Sequence, residues 1–246
     1  MLNMRFSEWF PYYQAIREEF GFSTEQDQIA ANILSKLIKR KAFSIKALQR
    51  KISGKTALVI GAGDTLNSKI KYIKKNRAFV KIVANGAAQT LIENHIKPDI
   101  IVTDLDGDAR VLKKAEKEGA IMVVHSHSDN IEALKDLVPK FRRVLGTTQV
   151  MPVEDVFNFG GFTDGDRCVF MADELGAKEI ILVGMEFGDR IGQASKNLIM
   201  DVELKRAKLK AAKRLLEMLA KRSHSHLFDT SSRPIRGFTY LDSNSS

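Results

Sequence analysis

Three features of the 246-residue sequence predict an α/β protein with a mostly parallel sheet, helices on both sheet faces and an N-terminal helical segment. From Thr56 onward, short continuous apolar runs alternate with helix-length stretches, the pattern of strands buried on both faces. Nearly every unusual polar cluster falls directly after such a run, and in open parallel sheets ligands bind at the carboxyl ends of the strands. A chain of this length buries about 70% of its unfolded surface. Together these describe a Rossmann-like domain over 53–246, with residues 1–52 as the helical segment.

Residues 3–20 read as a helix stopped by Gly21, with Ser23 or Thr24 capping the next one. In that second helix Ile29, Ile33, Leu34, Leu37 and Ile38 recur at helical spacing and mark a packed face. The candidate strands are 57–61, 79–85, 99–104, 120–126, 142–147 and 179–184. A helix over about 201–222 has apolar positions at Leu204, Ala211, Leu215 and Leu219, and the polar tail from Ser223 reads as frayed.

Cys168 is the single cysteine, so no disulfide forms within the chain, which suits a reducing cytoplasm. No apolar run approaches the roughly 20 residues of a membrane span, and a cytoplasmic location is expected. The net charge of +9 is unevenly spread: residues 36–55 carry eight bases and no acid, and 196–222 carry nine bases against three acids. The acids therefore concentrate between two basic helical segments, a split that suits an anionic substrate. Nucleic acid would use the same bases, but it leaves the strand-end acids and glycines unexplained, and few aromatics stand near the bases to stack on nucleotides.

The densest acidic cluster is PDIIVTDLDGDAR, 98–110. Asp104 and Asp106, two apart at a strand end, are expected to point the same way and hold a hard cation such as Mg²⁺; Asp108 reads as a turn residue. GAGDTL, 61–66, follows the first strand. There Gly61 and Gly63 let backbone approach a ligand, and Asp64 or Thr65 can cap a helix whose free N–H groups attract phosphate. It is neither a complete dinucleotide fingerprint nor a P-loop. ANGA, with Asn85 and Gly86, and GTTQ, with Thr147, Thr148 and Gln149, place small hydrogen-bonding residues at strand ends, suited to a nucleotide or a heterocycle. Ordinary turn chemistry accounts for them equally.

In HSHSDN, His125 and His127 share a face with Asp129 nearby; too few further ligands are at hand for zinc. Hydrogen bonds to phosphate or ribose, or a structural strand end, remain as readings. In GGFTDGDR, 160–167, Thr163 and Asp166 have capping-box spacing, which leaves Gly160, Gly161, Asp164 and Arg167 over for a metal and phosphate site. GMEFGDRIG, 184–192, adds three glycines and Glu186. Lys208 either reaches over its helix toward a ligand or flanks the packed seam.

Taken in order, GAGDTL, ANGA, PDIIVTDLDGD, HSHSDN, GTTQ, NFGGFTDGDR and GMEFG resemble the archaeal 6-hydroxymethyl-7,8-dihydropterin pyrophosphokinase (MptE-like) family over about 56–195. The resemblance implies transfer of the terminal diphosphate of ATP to the hydroxymethyl group of a reduced pterin, with Mg²⁺ and with AMP as product, in folate or methanopterin synthesis. The chain is also distantly similar to thiamine pyrophosphokinases, which carry Asp-x-Asp and a later Gly-Gly-Arg-x-Asp. That similarity implies Asp104, Asp106 and Asp164 as metal ligands. Phe162 stands where those relatives have Arg, and Arg167 is the expected substitute for its charge. Asp166 and His127 are the candidates for a general base. A related domain in longer flagellin-modifying glycosyltransferases supplies the runner-up activity, and a homo-oligomer is compatible with the sequence.

Overall fold

The computed structural model of the chain describes residues 6–187 and 202–243. Three helices, α1 (Phe6–Phe20), α2 (Thr24–Ile38) and α3 (Ile45–Ile52), precede the first strand. In α1 the buried Trp9, Tyr13 and Ile16 are spaced four and three apart on one face. Gly21, at φ 73°, ends the helix in the left-handed conformation that costs glycine least. Ser23 then caps α2 by accepting the Gln26 N–H. The packed face of α2 differs from the expected one: Asp27, Ala30, Ala31, Leu34 and Ile38 are buried, whereas Ile29 is exposed.

The strands are β1 (Thr56–Ile60), β2 (Val80–Ala84), β3 (Ile100–Thr103), β4 (Ile121–Ser126), β5 (Val144–Thr148), β6 (Val156–Phe157), β7 (Glu179–Val183), β8 (His226–Asp229) and β9 (Thr239–Tyr240). They form one sheet in the order β6-β5-β4-β3-β2-β1-β7-β8-β9 with every pairing parallel. Between them lie α4 (Ile70–Lys75), α5 (Ala88–Glu93), α6 (Ala109–Lys117), α7 (Ile131–Leu137), α8 (Asp164–Glu174) and α9 (Val202–Ala220). Successive crossovers run outward from β1 to β6, and the chain then returns through α8 to β7 on the other side of β1. Since parallel crossovers are right-handed, that reversal puts α4–α7 on one face and α8 and α9 on the other. The place where the order reverses, between β1 and β7, is where such sheets open a crevice at their carboxyl ends.

The tail is not frayed. β8 pairs with β7, burying Leu227 and Asp229, and β9 extends the edge. Asp229 accepts the backbone N–H groups of Ser231 and Ile235, which organises the turn that brings the chain to β9. In α9, Ala211, Leu215 and Leu219 are buried as expected, but Leu204 is exposed.

The buried side chains of α1–α3 and of the sheet form one hydrophobic cluster. Phe43 N–H bonds the Val144 carbonyl, so the N-terminal segment continues onto β5 through the backbone as well. Against that cluster α8 is buried almost all round. From Cys168 to Ala172 every residue is buried, and the helix packs beneath β1, β2 and β3. Its first turn is thereby delivered to the carboxyl end of β3.

Candidate active site

Asp104, Asp106 and Asp164 each place a carboxylate oxygen within 4.8 Å of the others. The pair does not share a strand face as the spacing suggests, because β3 ends at Thr103. Thr103 Oγ1 accepts the Leu105 N–H, and Leu105 takes φ 71°, a left-handed conformation unfavourable for a leucine. The buried Leu105 side chain anchors this turn while the two carboxylates emerge on either side of it. Asp106 N–H then bonds Asp104 Oδ1. Asp108 caps α6 by accepting the Arg110 N–H, so it is a turn residue as expected.

Asp164 arrives from the opposite direction, at the first position of α8. Thr163 caps the helix in a capping box with Asp166. The Asp166 carboxylate accepts the Phe162 and Thr163 N–H groups and is fully buried, which removes it as a general base and leaves Asp164 as the carboxylate that reaches the cluster.

Neighbouring amides and rings fix each acid. Asn85 Nδ2 donates to Asp106 Oδ1, and a Cβ at Gly107 would lie 2.4 Å from Asn85 Oδ1, so a larger residue there would displace the amide. Asn130 Nδ2 donates to the carbonyls of Asp104 (2.8 Å) and His125 (2.7 Å). His127 Nε2 faces Asp104 Oδ2 at 3.8 Å. Because His127 Nδ1 accepts the Asp129 N–H at 3.2 Å, the ring proton sits on Nε2, toward the carboxylate.

Three acids this close cannot all ionise without a cation. Burial works to raise Asp104, yet the neighbouring His127 and Asp106 outweigh it and hold this carboxyl at about 2. Asp106 is pushed up to about 6 by burial and by the Asp104 charge. Burial, with the Asp104 and Asp106 charges, drives Asp164 well above the ordinary carboxyl range. A hard divalent cation is the species such a donor set fits, because it replaces mutual repulsion by attraction.

Arg167, expected at phosphate, is instead buried completely beneath the loop. Its terminal nitrogens donate to the Gly160 carbonyl (3.3 Å) and the Phe162 carbonyl (3.2 Å). Gly160 and Gly161 both have φ 84°, and a Cβ on Gly161 would lie 2.6 Å from Arg167 Cα. These glycines therefore wrap the loop around arginine. His125, stacked on His127 with ring centroids 5.9 Å apart, is held well below the usual imidazole range by burial and by the Arg167 charge. Its Nδ1 and the Oγ1 of Thr147, its register partner on β5, find no hydrogen-bond partner among the described residues.

Other expected ligands have structural work. Thr148 Oγ1 accepts the Val150 N–H, and Gln149 donates from Nε2 to Asp27. Asp129 is exposed and lies outside the carboxylate cluster. In GAGDTL, the N–H groups of Gly61, Gly63 and Thr65 bond Val183, Gly184 and Glu186, so these three are not available as a phosphate cradle. A Cβ on Gly61 or Gly63 would sit 2.7 Å from the Gly184 carbonyl; here the close approach is to β7's loop. Neither Asp64 nor Thr65 caps a helix by its side chain: Asp64 is exposed, and Thr65 Oγ1 donates to Glu186. Gly86 seats against Ala62, joining the loops after β1 and β2. Gly188 and Gly192 lie outside the described residues.

On α9 the lysine whose charge is felt at Asp106 is Lys205; among the described residues no hydrogen bond or ion pair joins Lys208 to the cluster. Lys205 and Asn130 were not singled out from sequence. Lys205 lies one turn before Lys208 and is part-buried, whereas Asn130 carries only the weak signal of an amide directly before a helix.

Residues 31–192 match the family model described as 6-hydroxymethylpterin diphosphokinase MptE-like. A Pyrococcus furiosus protein named 6-hydroxymethyl-7,8-dihydropterin pyrophosphokinase is 42% identical over 93% of this chain and 100% of its own length. Its Methanocaldococcus jannaschii namesake is 39% identical over 88% of this chain and 96% of its own. Among solved structures, the MAf glycosyltransferase of Magnetospirillum magneticum superposes with a TM-score of 0.60 at 19% identity, over 98% of this chain and 42% of that one, a likeness of fold. With the matched segment containing all three converging aspartates and the relatives aligned nearly end to end, the chain belongs to the 6-hydroxymethylpterin diphosphokinase MptE-like family.

Proposed function

We propose that this chain is a Mg²⁺-dependent 6-hydroxymethyl-7,8-dihydropterin pyrophosphokinase. It moves the β,γ-diphosphate of ATP to the pterin's hydroxymethyl oxygen and releases AMP. The observation that carries the site assignment is the convergence of Asp104, Asp106 and Asp164, from two distant chain segments, on one point at the strand ends. Bound by these carboxylates, Mg²⁺ would neutralise and orient the polyphosphate, the main demand of phosphoryl-type transfer.

The protein's own groups set up that demand. Asn130 and the His127 N–H fix Asp104, and Asn85 fixes Asp106, so the donors are oriented before substrate arrives. Lys205, coupled through its charge to Asp106, supplies positive charge for the phosphates. The buried Arg167 acts through the field, offsetting Asp164 and Asp166 from below. The pterin oxygen bonds to the β-phosphorus as the bond from that phosphorus to the α,β-bridging oxygen breaks, and the hydroxyl proton is released. Positioning contributes most of such a rate enhancement, which fits a site without a covalent nucleophile.

Incubation with ATP, Mg²⁺ and the reduced pterin alcohol is expected to give AMP and pterin diphosphate in equal amounts. Asp104→Asn should lower kcat by about 100-fold or more, since altering even a ligand's outer partner costs roughly 10- to 100-fold. AMP without pterin diphosphate, an unimpaired Asp104→Asn, or preferential binding of a sugar nucleotide over ATP would each refute the assignment.

A further inference from the structure

We propose that Asp27, on the N-terminal helix α2, is a positioning residue of the diphosphotransferase site. By accepting the Ser128 N–H it sets the turn that holds His127 and Asn130 against Asp104. The proposal rests on the site assignment above, and Asp27 lies outside the segment matched to the family, 31–192.

Asp27 is completely buried, yet it is an acid on the packed face of a helix. Its Oδ2 accepts from Tyr13 Oη (2.9 Å) and Gln149 Nε2 (2.7 Å), and its Oδ1 accepts from Ser128 N (2.9 Å). All three neighbours present donors, so the position calls for a side chain that only accepts. Two of those bonds stay within the docking of the helices on β5, where Trp9 Nε1 also donates to the Gln149 carbonyl at 2.8 Å. The third leaves it. Ser128 sits between His127 and Asp129, inside a closed turn in which His127 N–H bonds Asn130 Oδ1 and Asp129 N–H bonds His127 Nδ1. From that turn Asn130 reaches the Asp104 carbonyl and His127 faces the Asp104 carboxylate. Docking of the helices is served by Oδ2, which takes the Tyr13 and Gln149 donors; Oδ1, through Ser128, serves the turn that carries two partners of a metal ligand.

The test uses the full chain, four single variants and one double variant. Asp27→Ala should lower kcat about tenfold or more while the KM values for ATP and pterin alcohol stay within about threefold, the size expected for an outer-shell partner. Asp27→Asn, whose Oδ1 still accepts the Ser128 N–H, should recover most of that loss. Ser128→Pro deletes the same bond without touching α2, and the extended His127 (φ −147°, ψ 172°) accommodates a following proline; it should reproduce the loss even if Asp27→Ala does not fold. In a His127→Ala background Asp27→Ala should add little, because groups acting as a unit are not additive. Emission of Trp9, the sole tryptophan, should stay unchanged in Ser128→Pro, showing that α1 remains docked. Mn²⁺ titration of the substrate-free proteins gives a second readout, with affinity expected to fall about tenfold in Asp27→Ala and in Ser128→Pro. A Ser128→Pro enzyme with wild-type kcat and Mn²⁺ affinity, or multiplicative losses in the double variant, would overturn the role of Asp27. A wild type that neither turns over pterin nor binds Mn²⁺ would overturn the site itself. If it binds Mn²⁺ without turning over pterin, the substrate assignment fails and Mn²⁺ affinity in the variants decides on Asp27.

Discussion

At the scale of single residues, the site is assembled against local preference. Leu105 is held at φ 71°, and three carboxylates are pressed together where each opposes ionisation of the next. Such an arrangement lowers the stability of the metal-free protein. Asp106 shows it most clearly, because its carboxyl is raised to about 6 from 3.8. A carboxyl raised in the folded state favours folding while it stays protonated, and that contribution is lost as pH rises through about 6. Asp106→Asn mimics the protonated form at every pH. The metal-free variant is therefore expected to melt a few degrees above wild type at pH 7.5, by less at pH 5, and to converge with it as pH falls toward 3.8, on a scale of about 2–4 °C per kcal/mol for a chain of this size. Its diphosphotransfer should be lost. Calorimetry in the presence of a chelator checks the first point, and an AMP assay checks the second. The acids themselves were legible in DLDGD and GGFTDGDR because carboxylates directly after an apolar run are conspicuous. The turn at Leu105 was not, since no leucine advertises a positive φ, and Lys205 looked no different from Lys208 until α9 was placed in space.

Among the elements, the two central strand-to-helix passages, β3 to α6 and the loop into α8, were readable from hydrophobic runs and capping spacing. Arg167 was misread for an instructive reason. An arginine beside glycines and acids suggests phosphate, but α8 is buried on nearly every side, so a residue in its first turn is drawn beneath the sheet. Phe162 is explained at the same level: where thiamine pyrophosphokinase-like motifs carry arginine, this ring packs on Phe20 and Phe22 (centroids 4.9 and 6.0 Å) and ties the loop to the end of α1. The tail was misread because HLFD is only four residues long and lies among serines, while its role comes from β7, which lacks a partner on that side without it. Deleting residues 223–246 should thus expose β7's backbone and the apolar surface under Leu227, Ile235 and Phe238. The expected outcome is aggregation, or a melt lowered by about 10 °C or more in circular dichroism; a truncated protein with the wild-type melt would show that β8 contributes nothing.

For the molecule as a whole, the parallel sheet was foreseeable from alternation, but its order was not, because hydrophobic runs do not say which strands are neighbours. That order gathers the loops after β1, β2, β3, β4 and β7 with the first turn of α8 at one end, and it accumulates opposing electrostatic demands there. His125 is held neutral, well below its ordinary 6.5, mainly by burial. Below about 6.5 the unfolded chain takes up a proton at this residue that the folded protein refuses, so stability falls by up to about 1.4 kcal/mol per pH unit on the acid side. Asp106 and Asp164, both raised from 3.8, act with the opposite sign: the Asp106 contribution falls as pH rises from 3.8 to about 6, and Asp164 adds to the loss. Over that range the two carboxyls outweigh His125, and the metal-free protein should lose stability as pH rises. Mg²⁺ binds the ionised cluster and competes with its protons. It should raise the melting temperature strongly at pH 7.5 and little at pH 5. A set of melting curves from pH 4.5 to 8, with chelator and with Mg²⁺, reads both effects at once; equal Mg²⁺ increments at pH 5 and 7.5 would mean that the cation does not bind at these carboxylates.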